Sequence, residues 1–475
     1  MEGETEQPAE GAQRRVYVMT LAGKQVWSSN RESEAAATGL AGLVSAVCGL
    51  AQRFGDAPRA VLAGNQRIVF SLHGELVFVA VDGRQSSEAY LLRTLGLVHD
   101  AVLMVLTKSV HTVLQKTPGY DVRALLGSSA ETVLRRLHRP QGNAGVLTGA
   151  VAATHFDPTQ RARLSFILAS AQRSGAERER SFAYAFVLLG DKLVAALQPR
   201  DLASRLHSTD VLLLANFVAS QKSVFAQAES WTPVCLPRFN ASGFVHAYVA
   251  YLDAGVELCL VLIAADGSPE TFEALRGIRV AIETAAMRDG VVAHARKVAQ
   301  QPDQAPRAVA QHNKALHFCC NTRKPRLQPQ SPNGGAFRKG RNRASQAYLT
   351  QSACSPYASQ HEGGNEAPPR LWHAYQEIAM RRRGRTRSLG PLSMGDIDVL
   401  TISDELYDSH LDGALCCITA GLFTYVGLSG LGLDLFATFP AHLPLLVVAD
   451  KAQQLLNTLK LEEAFFFVDV NASVY

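Results

Sequence analysis

Arg15-Val-Tyr-Val-Met-Thr20, Leu21-Ala-Gly-Lys24 and Gln25-Val-Trp-Ser28 form a β-rich run broken by a glycine-bearing turn. β-Branched and aromatic side chains on either side of so short a break predict a β-hairpin. Downstream, Ser33 and Glu34 make a capping pattern. Leu40, Leu43, Val44, Val47, Leu50, Ala51 and Phe54 then recur at helical spacing and are read as one apolar face. Strands are predicted at Arg59 to Ala63, Arg67 to Leu72 and Leu76 to Val81, punctuated by Gly64-Asn65 and His73-Gly74. A long helix follows, carrying Leu91, Leu95, Val98, Val102, Val105 and Leu106. The order strand, strand, helix, three strands, helix implies a five-stranded antiparallel sheet flanked by helices, an α+β layer design.

The same order recurs. Phe182 to Leu189 and Leu193 to Leu197 read as a hairpin about Gly190-Asp191-Lys192. A helix is expected from Asp201 to Phe217, led by an acidic first turn. Strands at Thr232 to Leu236, Phe244 to Leu252 and Glu257 to Ala264 precede a helix from Pro269 to Met287, with proline in its first turn. An internal repeat of a whole supersecondary unit outweighs any single strand assignment. Helices at Val122 to His138 and Thr159 to Ser174 lie between the two units.

From Gln304 to His361 no acidic residue occurs, while Arg307, Lys314, Arg323, Lys324, Arg326, Arg338, Lys339, Arg341 and Arg343 are basic. Gln, Pro, Ser and Gly fill much of the rest, the composition of a loosely held linker. A third region resumes with a helix at Leu371 to Met380, an apolar hairpin at Leu415 to Leu428 and a last helix at Asp450 to Leu461. The expected division is a disordered N-terminus over 1–14, units over 15–140 and 141–298, a basic linker over 299–333 and a third unit over 334–475.

The 475 residues are 47% hydrophobic, so each unit can bury a core, and a net charge of +5 selects no polyanionic partner for the chain as a whole. The eight cysteines include the adjacent pairs Cys319-Cys320 and Cys416-Cys417 and no C-x-x-C, which fits a reducing compartment. His312, His317, Cys319 and Cys320 match no common zinc spacing, so no metal site or cofactor is expected. His246 reads as a sheet histidine. Residues 1–14 lack the apolar core of a secretory signal. The uncharged interval between Asp412 and Asp434 is long enough for a bilayer, but its glycines and threonines favour two strands meeting at Ala420-Gly421. No G-x-x-x-x-G-K-[ST] loop is present, so the chain is not itself a nucleotide-hydrolysing switch.

Several blocks resemble the SAND/Mon family of vacuolar fusion proteins: Gly64-Asn-Gln-Arg-Ile-Val-Phe70, Leu106-Thr-Lys-Ser109, Asp121-Val-Arg-Ala-Leu-Leu-Gly127 and Asp210-Val-Leu-Leu-Leu-Ala-Asn-Phe217. The clearest is Pro233-Val-Cys-Leu-Pro-Arg-Phe-Asn240 with Gly243-Phe-Val-His-Ala-Tyr-Val249. Together they run in order from Arg15 to Glu283. Ala347 to Tyr357, Leu371-Trp-His-Ala-Tyr-Gln376 and Ala414-Leu-Cys-Cys-Ile-Thr419 are similar to the family's last domain, although Arg338-Lys-Gly-Arg-Asn-Arg343 replaces an aromatic segment there.

The resemblance implies three longin domains, each a five-stranded antiparallel sheet sandwiched by helices. It implies a guanine-nucleotide exchange factor subunit without covalent chemistry, acting on a late-endosomal Rab GTPase with the calcium-caffeine-zinc sensitivity protein as longin partner. A non-catalytic longin subunit of a trafficking or tethering complex would share the same strands. Exposed contacts for the Rab or the partner are expected at Lys24, Trp27, Ser28, Asn30 and Arg31, with Trp27 as anchor. Anionic phosphoinositide surfaces are expected to meet Arg338, Lys339, Arg341, Arg343, Arg381, Arg382 and Arg383, placing a cytoplasmic protein peripherally on late endosomes or the vacuole.

Overall fold

A computed structural model describes residues 14–30, 34–83, 86–138, 144–176, 181–199, 201, 204–301, 304–322, 350–351, 371, 374–379, 397–400, 415–420 and 422–468. Ser33, Arg31 and the basic runs 338–343 and 381–387 lie outside them. Two compact units are present, Met1–Val102 with Lys108–Gly142 and Leu103–Thr107 with Asn143–Tyr475.

In the first unit, β1 (Arg15–Thr20) and β2 (Gln25–Ser28) form the expected hairpin. Helix α1 (Glu34–Arg53) leads to β3 (Ala60–Ala63), β4 (Gln66–His73) and β5 (Leu76–Gly83). Helices α2 (Glu88–Leu106), α3 (Ser109–Lys116) and α4 (Arg123–Leu137) complete it. The sheet runs β2-β1-β5-β4-β3 with every pairing antiparallel. β5 lies between β1 and β4, and its run Leu-Val-Phe-Val-Ala-Val is buried throughout, the pattern of a strand covered on both faces. Arg14, expected in a disordered terminus, is instead buried: its Nε donates to Asp82 at 2.7 Å and its guanidinium lies 4.8 Å from the Tyr90 ring. Helix α2 is long and apolar enough to cross a bilayer, yet Leu91, Leu95, Val98 and Val102 are buried within the protein.

The second unit opens with α5 (Ala144–Thr148) and α6 (Pro158–Ala176). The strands β6 (Tyr184–Leu189) and β7 (Lys192–Leu197) are followed by α7 (Ser208–Ser220), α8 (Lys222–Phe225), β8 (Ser230–Leu236), α9 (Pro237–Asn240), β9 (Ala241–Asp253) and β10 (Leu258–Ala264). Their order, β7-β6-β10-β9-β8, reproduces the first sheet strand for strand. The likeness extends to the hairpins. Gly23 and Gly190 hold their turns at φ of 83° and 63°, where a side chain would be strained. Register slips between Val18 and Met19 in one and between Val187 and Leu188 in the other.

Helix α7 begins seven residues later than expected. Ahead of it, the Leu206 amide donates to Gln198 Oε1 and Arg205 Nε to the Pro199 carbonyl. His207 then caps the helix by accepting from the Thr209 amide, and Asp210 rather than Asp201 supplies the acidic first turn. Helices α10 (Pro269–Arg288) and α11 (Val291–Gln300) close this layer.

The stretch expected as a linker over 299–333 carries α12 (Gln304–His312) and β11 (His317–Thr322). Its overall composition is polar, but Phe318, Cys319 and Cys320 form a local apolar run that is buried. β11 belongs to a third sheet with β12 (Thr350–Gln351), β13 (Ile397–Leu400), β14 (Leu415–Ala420), β15 (Phe423–Gly430) and β16 (Leu433–Pro440). The order β12-β11-β16-β15-β14-β13 keeps the winding of the other two with one strand more than the five expected. The uncharged interval between Asp412 and Asp434 is thus the β14–β15 hairpin. Helices α13 (Leu445–Leu461) and α14 (Glu463–Phe466) finish the described chain.

Within this unit a buried cation joins the second and third sheets. Arg161 of α6 donates from Nε to the Val194 carbonyl at 3.0 Å and from Nη2 to Thr154 at 2.8 Å, both in the second layer. The same guanidinium reaches the carbonyls of Ala464, Phe465 and Phe467 at the end of the third. The Phe156 amide donates to Phe465 O at 3.0 Å, and the His155 ring stacks on Phe465. Burial pushes Arg161 down to about 10, which leaves it charged at neutral pH.

Replacing Arg161 by alanine strands these carbonyls in the core and is expected to cost about 3–5 kcal/mol. Urea unfolding measures it, and proteolysis within 461–468 should accelerate at denaturant levels where the parent chain resists. A second expectation concerns pH. His138, which donates to the Arg14 carbonyl at 2.9 Å, and His317, beside the Tyr375 hydroxyl at 3.1 Å, are each pushed from 6.5 to about 4 by burial. The folded chain therefore binds fewer protons than the unfolded chain between those values. Stability present above 6.5 is lost as pH falls toward 4, by about 2 kcal/mol per histidine from about pH 7 to pH 5. Thermal melts of H138Q and H317Q should show a correspondingly flatter pH response.

Candidate interaction surface

The hairpin residues expected to face a partner are mostly turned inward. Trp27 pairs with Val18 and lies on the sheet face opposite Tyr17 and Met19, where β2 packs against α4, and only 6% of it is exposed. Its indole Nε1 is buried without a hydrogen-bond acceptor. An aromatic so placed is a core residue. Ser28 is also buried, its hydroxyl donating to the Asn30 carbonyl. Asn30 is half-buried and accepts from Ser29 Oγ at 3.2 Å, while Ser29 Oγ accepts the Val16 amide at 3.0 Å. Lys24 is exposed, with Nζ donating to the Gly119 carbonyl at 2.5 Å. The turn thus folds its polar groups onto its own domain, and only Lys24 stands fully exposed among the four described candidates.

The apolar surface of this unit lies elsewhere. On α1, Ala41, Val44 and Cys48 are buried against Tyr17, Phe70 and Val79. Leu43 is 58% exposed, Leu50 59% and Phe54 81%. The residues read as one face are therefore two, with only the narrower one on the sheet. Gly39, Gly42, Ala46 and Gly49 share the outward arc, which bears no charge before Arg53. A Cβ at any of the three glycines would meet no atom within 4 Å, so nothing inside the unit requires them. Each costs about 1 kcal/mol of helix stability relative to alanine. A smooth, glycine-lined helix face permits the close approach of another backbone.

α1 leads through Asp56-Ala-Pro58 into β3, whose four residues are all exposed. β3 pairs with β4 on one side, and its other edge is unpaired among the described residues. Ala60-Val-Leu-Ala63 carries no charge or proline, the usual protections of a free edge. In sequence, the signal for this surface is the set of glycines at 39, 42 and 49 inside a helical period.

The same unit holds a stack of imidazoles. His73 and His99 lie with ring centroids 3.9 Å apart, and His111 is 6.4 Å beyond His99. Burial and the neighbouring His99 charge push His111 below its ordinary value. Stacked rings do not converge on one point, and no group of three His, Cys, Asp or Glu among the described residues is placed to hold a metal. Cys319 is pushed up to about 12 by burial, and Cys320 rises well above its ordinary value, so both are thiols of the sheet core rather than ligating thiolates. His246 stacks on Trp231 at 5.2 Å beside Gly267, as a sheet histidine does.

Family models match the two repeated units separately. That of the first longin domain of FUZ, MON1 and HPS1 matches residues 14–137, and that of the second longin domain of the same proteins matches residues 180–278. Protein SAND of Takifugu rubripes is 30% identical over 254 residues, 53% of this chain and 47% of its own. Vacuolar fusion protein MON1 homolog A of Bos taurus is 33% identical over 269 residues, 56% of this chain and 47% of its own. Vacuolar fusion protein MON1 homolog B of Homo sapiens is 34% identical over 274 residues, 57% and 48% respectively. The chain spans about half the length of these curated relatives. Its first two sheets coincide with the two longin-domain matches, and the winding of the third extends the α+β pattern.

Trp27→Ala is expected to destabilise the first longin domain by about 3–5 kcal/mol, as removal of a large core aromatic does. Lys24→Ala should change stability by no more than about 0.5 kcal/mol. Chemical denaturation of both variants separates the core assignment from a surface anchor.

Proposed function

From its two longin domains of the FUZ, MON1 and HPS1 group and its kinship with vacuolar fusion proteins, we propose that this chain is one subunit of a guanine-nucleotide exchange factor. The proposed target is a late-endosomal or vacuolar Rab GTPase, and the proposed outcome is endosome maturation and fusion with the vacuole or lysosome. The observations that carry this reading are the exposed apolar residues of α1 and the edge of β3 that is unpaired among the described residues. Its occupant is proposed to be a second longin chain, the calcium-caffeine-zinc sensitivity protein. A related domain offers the same kind of helix and edge, so helix can pack on helix and strand can extend sheet.

Exchange of this kind needs no covalent chemistry in either subunit. A surface that binds the nucleotide-free GTPase more tightly than the loaded form lowers nucleotide affinity by the same factor. The switch loops and the Mg²⁺ contacts of the GTPase are what such a surface displaces. Lys24 and Asn30 stay in the proposal as rim contacts for the Rab or the partner; Arg31 lies outside the described residues. Trp27 and Ser28 leave it because they are buried. Arg338, Lys339, Arg341, Arg343 and Arg381 to Arg383, also outside the described residues, are proposed to meet anionic phosphoinositide. Each cation near such a surface contributes about 1 kcal/mol.

The test combines the chain, its longin partner and a Rab loaded with fluorescent GDP. Release should accelerate at least about 100-fold with both chains present and little with either alone. Leu43→Asp with Leu50→Asp should abolish co-purification of the two chains and the acceleration together. A stable complex that leaves release unchanged would assign the chain to a purely structural role in trafficking.

A further inference from the structure

One short helix of the first unit is held by rings rather than by a broad core. Helix α3 buries two side chains, Val110 and Leu114, and Lys108 at its start supplies no side-chain cap. Ahead of it Thr107, buried and β-branched, turns at φ 57°, a conformation strained for such a residue. Behind it the Gly119 carbonyl accepts from Lys24 Nζ of the β1–β2 turn. Segments with so little buried surface are the first to open in a folded protein.

The joint that holds α3 is the imidazole stack. His73 ends β4, His99 lies on α2 and His111 on α3. The first two rings are 3.9 Å apart and within 15° of parallel, and His111 continues the stack 6.4 Å beyond His99. Phe78 closes it from the side, edge-on to His73 at 5.6 Å and to His99 at 5.3 Å. Ser71 Oγ and His73 Nε2 are hydrogen-bonded at 2.9 Å. Gly74, at φ 55°, makes room for α3: a Cβ there would stand 2.8 Å from His111 Nδ1. That nitrogen is buried and meets no hydrogen-bond partner among the described residues.

Neutral rings suit this packing and charged ones do not. An uncharged imidazole can leave Nδ1 without hydrogen, whereas an imidazolium carries one on each nitrogen. A proton added at His111 Nδ1 would point at the Gly74 backbone with no acceptor in reach. Positive charges on rings 3.9 Å apart also repel. Each packed element adds a charge of its own. Glu75 comes from the β4–β5 turn, Asp100 from α2 at 3.5 Å from His99 Nδ1, and Lys108 from the head of α3. Three imidazolium rings and a lysine would thus face two carboxylates. Burial, followed by the neighbouring His99 charge, holds His111 below its ordinary 6.5, so the closed joint binds fewer protons than an open one. Protection of α3 is therefore complete above that value and is lost as pH falls through it.

We infer that His73, His99 and His111 form a proton-operated clasp: charging the stacked rings releases α3 from the β4–β5 turn and frees Lys24 from Gly119. The device lies wholly in the first unit. It goes beyond exchange activity and does not depend on it, because the release is read without any GTPase.

The experiment is amide hydrogen exchange of the full chain at about pH 7.5 and about pH 6.0, each rate taken relative to its intrinsic value. Amides of α3 should exchange faster than those of β5 at both pH values, as a local opening requires. Relative to intrinsic rates, those of α3 should accelerate about tenfold or more at the lower pH. His111→Phe keeps a ring without a titrating nitrogen and should bring that acceleration within about twofold. His73→Phe removes a charge from the other end of the stack and should shrink the response as well, which keeps the test open where one variant fails to fold. Equal protection of α3 at both pH values in the parent chain overturns the inference. So does exchange of α3 only at the rate of β5, or a full pH response in whichever phenylalanine variants fold. Failure of the nucleotide-release assay leaves these outcomes unaffected.

Discussion

In all three sheets the first strand acquires its inner neighbour only from the last. β1 lies beside β5, β6 beside β10 and β11 beside β16. Until that closing strand arrives, each opening hairpin has a bare edge and one of its strands lacks half its hydrogen bonds. Two of the closing strands are buried on both faces, from Leu76 to Val81 and from Leu258 to Ala264. Helices can pack on either side only after this pairing is made. The positions of α1 and of the free edge at β3 follow from it.

Much of this was legible in the residues. Period-two strands and glycine turns located both five-stranded sheets, and the repeat located the second from the first. Where reading failed, the cause was tertiary. Residues 201–207 look helical by their acidic lead, but Gln198 Oε1 takes the Leu206 amide that a helix would use, and the Pro199 carbonyl takes the Arg205 guanidinium. The span 299–333 looks like a linker by composition, yet four residues, His317 to Cys320, suffice to make a buried strand.

The candidate interaction surface was less legible because exposure depends on width. A helical face of seven apolar residues reads as core, but the sheet beneath α1 covers only the arc centred on Val44 and Cys48. Leu43, Leu50 and Phe54 remain outside it. Trp27 failed in the opposite sense. Tryptophan near a turn suggests an anchor, whereas strand alternation sends it to the face where α4 packs. Which side of a hairpin is covered is decided by helices distant in sequence, and no local pattern contains that information.

The cation at Arg161 couples these layers across the chain in time as well as in space. Its acceptors at Ala464 and Phe467 lie 303 and 306 residues further along. At about 5–20 residues per second on the ribosome, the second longin domain, complete at Gln300, waits roughly 8–33 s for carbonyls that complete its core. Over that interval a guanidinium sits at the edge of an otherwise closed layer, held by Val194 and Thr154 with its remaining donors hydrated. How long that edge stays open is set by the rate of synthesis, a quantity that the equilibrium stability of the finished fold does not contain.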